Sequence, residues 1–234
     1  MFKTIRQYKS YTSKNVMAAA YILFPAAIFV LLVTMAFFGR NTEVQTFRTI
    51  LTTFSIMVSV WASVVVCLSD RFNFGAFLSD KSRIGEIART SSKGIKMIKS
   101  ITLWDIFSRL LLIVISSAGI AVAGYIGHPD KGLKFAMMCI LFILTCHLIT
   151  SLLVWICRMI ENQTISTLIY SFGILYFFPV ALIFILPEEI IPSFIYTGAV
   201  IGQIILDVIV NSAGMLLLNR FIKREWYNDG KDRK

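Results

Sequence analysis

One line of polar residues interrupts the apolar part of this 234-residue sequence. Gln203, Asp207 and Asn211 follow one another at intervals of four, so a helix through them places all three on one face. Polar and ionisable side chains inside an apolar helix are costly, and they mark transport pathways or contacts between helices. The stripe therefore predicts a face on a translocation path or at a subunit interface, or a hydrogen-bond network between helices of one bundle.

Two other ionisable residues lie within apolar runs. His147 stands alone in its run, where a satisfied core histidine is the more frequent case and a proton relay is the alternative. Arg109 can pair with an acid or extend its head group to the membrane surface. We expect the second, because long basic side chains near the ends of spans reach the interface.

The motifs of hydrolytic enzymes are absent from the sequence. Its two histidines, His128 and His147, form no H-E-x-x-H site, and there is no G-x-S-x-G elbow and no G-x-x-x-x-G-K-[ST] phosphate loop. The four cysteines lie in or at the ends of apolar runs, where they are typical of small core residues. We therefore expect no enzyme, no catalytic residues, no metal site and no cofactor bound by this chain.

Six apolar runs must position these side chains. Hydrophobic residues make up 57% of the chain and charged residues 15%, and each run has the roughly 20 residues that a membrane-spanning helix needs. The predicted spans are Met17–Phe38, Ile50–Ser69, Ile106–Ile126, Leu133–Cys157, Thr164–Leu186 and Ala199–Asn219. The sequence thus predicts an all-α polytopic membrane protein with a single transmembrane domain over residues 1–234.

The basic residues are distributed unevenly between the two sides of these spans. Eighteen of the 23 Lys and Arg residues fall on the side of the termini, four fall on the other side, and Arg109 remains at the start of a span. The positive-inside rule then places both termini in the cytoplasm. Anionic lipid accounts for the net charge of +10, and no nucleic-acid partner is predicted.

Three segments outside the spans have distinct patterns. Phe2–Tyr11 is basic and amphipathic, which is typical of an interfacial helix, although an ordinary tail is the alternative. The long connection 70–104 contains a short helix candidate, and its last part, Ile95–Trp104, is predicted to lead into the third span along the interface. Pro187–Gly198 contains two prolines and several apolar residues, which favours a short helical segment over an irregular loop.

This layout resembles the six-span permease subunits of type-2 ABC exporters over essentially the whole chain. The resemblance implies an interfacial N-terminal helix at Phe2–Tyr11, a coupling helix at Ser82–Ser91 between spans two and three, and an extracellular helical hairpin at Pro187–Thr197 between spans five and six. In that family the coupling helix docks on a cytoplasmic ATPase. By resemblance, the ATPase-coupling residues are Ile84, Gly85, Glu86, Ile87 and Arg89.

The resemblance also implies a function. The chain would be half of a pathway in a bacterial cytoplasmic membrane, exporting an amphipathic peptide of the bacteriocin or toxin kind, or a lipid-like substrate. Its partners would be ABC ATPase subunits, which bind ATP and Mg²⁺, and a second permease, identical or related. An ion-coupled secondary transporter, an assembly factor and an intramembrane enzyme are the alternatives.

Overall fold

The computed structural model describes residues 19–39, 43–70, 94–128, 131–160, 163–173, 175 and 193–228. Within these ranges every regular element is helical and no strand occurs, as the apolar pattern predicted. A π-helical turn at Ala19–Leu23 leads into the first α-helix. The helices are α1 (Phe24–Phe38), α2 (Val44–Ser69), α3 (Gly94–Gly127), α4 (Gly132–Arg158), α5 (Gln163–Gly173) and α6 (Ser193–Asn228).

Among the described residues, five helices are long and apolar enough to cross a bilayer, with mean hydropathies from 1.9 to 2.4. The apolar stretches are Tyr21–Phe38, Val44–Ser69, Lys96–Gly127, Gly132–Arg158 and Thr197–Ile222. They coincide with predicted spans one to four and six, and they indicate a membrane protein. Only residues 164–173 and 175 of the predicted fifth span are described, so the number of six spans stays a prediction.

The helix of the third span is longer than the predicted span Ile106–Ile126. It begins at Gly94, twelve residues earlier, so Ile95–Trp104 forms its first turns and leads into the span, while its position along the interface stays a prediction. Ile98 and Ile101 are buried there, and they pack with apolar side chains near the C-terminal end of α6. Burial against a neighbouring helix keeps this basic but amphipathic stretch within the bundle.

The segments implied by the resemblance are only partly described. Phe2–Tyr11 and Ser82–Ser91 lie outside the described residues. Of the predicted hairpin Pro187–Thr197, the structure describes the part from Ser193 onward, which is continuous with the sixth helix.

α4 is the central helix of the bundle. It packs against α2, α3, α5 and α6, and 56% of its apolar stretch is buried, compared with 17% for α6. Buried residues, among them Phe142 and Val154, occur along its whole length. Polar residues on α4 are therefore surrounded by other helices and must find partners there.

The end of α3 and the start of α4 are hydrogen-bonded to each other across a tight turn. The amide of His128 donates to the carbonyl of Gly124 at 3.3 Å, and the amide of Gly132 donates to the carbonyl of His128 at 2.6 Å. A Cβ on Gly132 would lie 2.1 Å from the Gly124 oxygen, so the two helices can approach this closely only through glycine. The turn fixes the register of α4 against α3.

Candidate functional site

The polar stripe of α6 faces α4 of the same chain. Asp207 and Asn211 are buried, with 4% and 7% of their surfaces exposed, while Gln203 is half-buried. On α4, His147, Ser151 and Trp155 follow one another at the same spacing of four, so they form a matching polar line. The predicted common face of the three α6 residues is thus directed at α4.

The contacts between the two lines are specific. His147 Nε2 lies 3.3 Å from a carboxylate oxygen of Asp207, Oδ2, and 3.3 Å from the Ser151 hydroxyl. One helical turn or more further along, the indole N–H of Trp155 donates to Asn211 Oδ1 at 3.2 Å. Asn211 in turn donates to the backbone carbonyl of Asp207 at 2.9 Å. Buried polar groups in a helical bundle are satisfied in this way, across the interface between helices.

Glycine allows the indole to reach α6. A Cβ on Gly214 would lie 2.2 Å from Trp155 Cδ2, so the ring packs directly on the backbone of α6. The numbering of the contacts rises along both helices, from His147–Asp207 to Trp155–Asn211, so α4 and α6 run parallel. These contacts favour the interpretation of the stripe as an interhelical network.

The network leaves two buried polar atoms without partners in the described part of the chain. These are Oδ1 of Asp207 and Nε2 of Gln203. Since a buried unpaired carboxylate oxygen is costly, Asp207 is the least satisfied acid of this interface. That property distinguishes it from the fully bonded Asn211 one turn away.

A second polar cluster ties four helices together near one end of the bundle. Asp70 follows the last residue of α2, Asp105 and Arg109 lie on α3, Arg158 ends α4 and Tyr170 lies on α5. All five side chains are buried or nearly so. We call this group the ion cluster.

Arg158 is the centre of the ion cluster. Its Nε donates to Asp70 Oδ1 at 2.7 Å, and its Nη2 lies 2.6 Å from the same oxygen and 2.5 Å from Asp105 Oδ2. The Tyr170 hydroxyl donates to the other oxygen of Asp70 at 2.5 Å. Arg109 Nη2 donates to Asp105 Oδ2 as well, and it lies 4.0 Å from Asp70. Two acids and two arginines neutralise each other, which is how buried charges persist.

The expectation for Arg109 was therefore wrong. Its side chain is buried inside the bundle, with only 1% of it exposed, and it pairs with Asp105 one turn earlier. The i, i+4 spacing of these two residues was a signal for the pair. Arg158 directly follows the predicted fourth span, yet it is the buried last residue of α4. Its partner Asp70 lies 88 positions away, a separation over which sequence spacing carries no information.

Trp155 links the ion cluster to the α4–α6 interface. The guanidinium carbon of Arg158 lies 4.8 Å from the centroid of the Trp155 ring, within the range of a cation–π contact. The same ring donates its N–H to Asn211. A movement of α6 that displaced Asn211 would therefore shift the Trp155 ring and change its contact with Arg158 in the ion cluster.

A small cavity lies between the two polar sites. Helices α2, α3 and α4 enclose it, and Arg109 and His147 both line it together with the hydroxyls of Ser63 and Thr150. The two hydroxyls lie 2.7 Å apart. Nε and Nη1 of Arg109 have no partner among the described residues, so this guanidinium retains donors for a bound molecule. The cavity has room for about one water molecule.

The predicted coupling residues Ile84, Gly85, Glu86, Ile87 and Arg89 lie outside the described residues. Within the described ranges, no group of three or more His, Cys, Asp or Glu side chains could hold a metal ion. All four cysteines, Cys67, Cys139, Cys146 and Cys157, are buried and form no disulfide, as predicted for core residues.

No protein-family model, curated protein or solved structure matches this chain.

Proposed function

We propose that this protein is the permease subunit of an ATP-driven ABC exporter in a bacterial cytoplasmic membrane. It would form half of a pathway for an amphipathic peptide of the bacteriocin or toxin kind, or for a lipid-like substrate. A second permease, identical or related, would supply the other half. Cytoplasmic ABC ATPase subunits would bind ATP and Mg²⁺, because this sequence has no phosphate-binding loop of its own.

The observation that best supports the proposal is the ion cluster beside the connection 71–93. Asp70 directly precedes this connection and α3 begins directly after it, at Gly94. Through Arg158 and Tyr170, the cluster joins the ends of α2 and α4 to α3 and α5. A force applied to the connection by a docked ATPase would therefore move these four helices together, as a rigid body.

The parallel course of α4 and α6 supports six spans. Both helices run in the same direction, so the chain has to return to the opposite end of the bundle between Arg158 and Ser193. The predicted fifth span, Thr164–Leu186, would provide that return. With six spans and the basic excess on one side, both termini would lie in the cytoplasm.

Affinity purification of the tagged protein in mild detergent tests the proposal most directly. We expect a soluble protein with a G-x-x-x-x-G-K-[ST] loop to co-purify in stoichiometric amount, and we expect its ATPase activity to rise when the permease is added. Recovery of the tagged protein without any ATPase, in several detergents and after mild cross-linking in the membrane, would contradict it.

The contact between His147 and Asp207 favours a second candidate, an ion-coupled secondary transporter. A buried histidine beside a buried acid is a pattern of proton-coupled carriers, and Asp207 keeps one oxygen unbonded among the described residues. Transport by reconstituted vesicles separates the two candidates. Dependence on internal ATP supports the exporter, whereas dependence on an imposed proton gradient without ATP supports the carrier.

A further inference from the structure

Among the described residues, the buried charges of the bundle do not cancel. Asp70, Asp105 and Asp207 are three acids within the described interior, and Arg109 and Arg158 are the two arginines that oppose them. The four charged residues of the ion cluster balance one another, so the excess negative charge belongs to Asp207. An isolated carboxylate in such surroundings is too costly to persist without a counter-charge.

The only titratable side chain in contact with Asp207 in the described structure is His147, at 3.3 Å. Arg109 of α3 lines the same cavity as His147, and the acid that Arg109 contacts is Asp105. From α2, the cavity-lining residues are hydroxyl and apolar side chains, and on α4 itself the neighbouring titratable group is the Cys146 thiol. From α5, Tyr170 is bonded to Asp70. One proton on the His147–Asp207 pair would make the buried charge zero.

We propose that His147 and Asp207 together form a proton-binding site, which holds one proton shared between Nε2 and Oδ2. The proton comes from bulk water and bonds either to the imidazole nitrogen or to the carboxylate oxygen, and its release returns it to water. In either position it makes the pair neutral overall. This site does not depend on the proposed ATPase partner.

The cavity beside the pair offers the route for exchange. His147 lines its wall, as do the Ser63 and Thr150 hydroxyls, and hydroxyls can both donate and accept protons. The free N–H groups of Arg109 would hold the oxygen of a water molecule there. A water molecule in this position would connect His147 to Arg109, and thus to the end of the bundle that contains the ion cluster.

The protonation state of this site also affects the packing of α6 against α4. α6 is the least buried of the five apolar helices, and α4 is the helix against which it packs most extensively. Loss of the proton would leave a net negative charge inside this interface. We therefore expect deprotonation to loosen the contact of α6 with α4, starting at Asp207.

The chain is well suited to a direct measurement, because it contains only two histidines. The full-length protein, labelled with ¹⁵N-histidine and placed in lipid nanodiscs, is titrated from pH 5 to pH 9 by nuclear magnetic resonance. The H128Q variant leaves His147 as the single signal. Infrared difference spectra of the wild type and of D207N report a protonated carboxyl through its C=O stretch.

We expect the pair to hold one proton, visible as an imidazolium signal of His147 or as a carboxylic acid band that D207N lacks. The loss of whichever signal is present marks the release of that proton. A neutral His147 with no acid band at pH 7 in the wild type would overturn the proposal, and this result does not require any variant to fold. An imidazolium that persists unchanged in folded D207N would also overturn it.

Discussion

Arg158 provides the sharpest test of how this bundle is held together. Its guanidinium bonds to both acids of the ion cluster, and the three contacts are between 2.5 and 2.7 Å long. In R158Q, both carboxylates would remain opposed by Arg109 alone, whose Nη2 is 4.0 Å from Asp70. Breaking a buried ion pair by removing one partner costs about 3–5 kcal/mol, because it leaves an uncompensated buried charge. We expect a loss of unfolding free energy in that range.

Reversible unfolding in mixed micelles, with increasing denaturing detergent, measures this loss. R220Q is the matched control, since Arg220 is an exposed arginine near the end of α6 and its substitution should change stability by less than about 0.5 kcal/mol. The double variant D70N/R158Q restores neutrality, because Asp105 and Arg109 then oppose each other. It should be more stable than the sum of the single variants predicts, by about 0.5–3 kcal/mol.

Two outcomes would refute this reasoning. If R158Q were no less stable than R220Q, the ion cluster would not hold the four helices together. If the effects of D70N and R158Q simply added, the bond between these two residues would carry no coupling energy, and the argument for rigid-body movement of the four helices would fail.

Two further predictions concern the α4–α6 interface and the coupling segment. G214A should destabilise the protein by about 1–3 kcal/mol, because the added Cβ would meet the ring of Trp155. The control G202A should be nearly neutral, because no atom lies within 4 Å of its added Cβ. Equal effects of the two variants in a denaturation experiment would show that the indole does not pack on Gly214. E86Q/R89Q should reduce the stimulated ATP hydrolysis of a co-purified ATPase to its basal rate without lowering permease abundance. Unchanged stimulation would mean that Glu86 and Arg89 are not in the coupling helix.

The helical architecture could be predicted from the chain because it depends on local properties. Lipid requires every backbone group to be bonded within its own segment, so apolar runs of about 20 residues become helices wherever they occur. Helical periodicity is also a local property, so the four-residue spacing of Gln203, Asp207 and Asn211 was enough to place them on one face. The third helix begins at Gly94, before its predicted apolar span, because burial against α6 extends the helix beyond its apolar core.

The partners of the polar residues could not be predicted in this way. Hydropathy and spacing identified Asp207 and His147 as unusual, but these residues are sixty positions apart and nothing in the sequence pairs them. Arg109 could pair with an acid or extend to the membrane surface. Only the position of Asp105 and Asp70 beside it in the folded bundle decided for the ion pair.

The sequence by itself determined which segments are apolar helices, where the basic residues concentrate and which intramembrane side chains are exceptional. The tertiary structure alone decided that Arg158 neutralises Asp70 and Asp105, and that Asp207 is left with His147. The physical reason is that helix formation in lipid is settled within each segment, whereas the neutralisation of a buried charge depends on residues that only the packing of α2, α3, α4, α5 and α6 brings within a few ångströms.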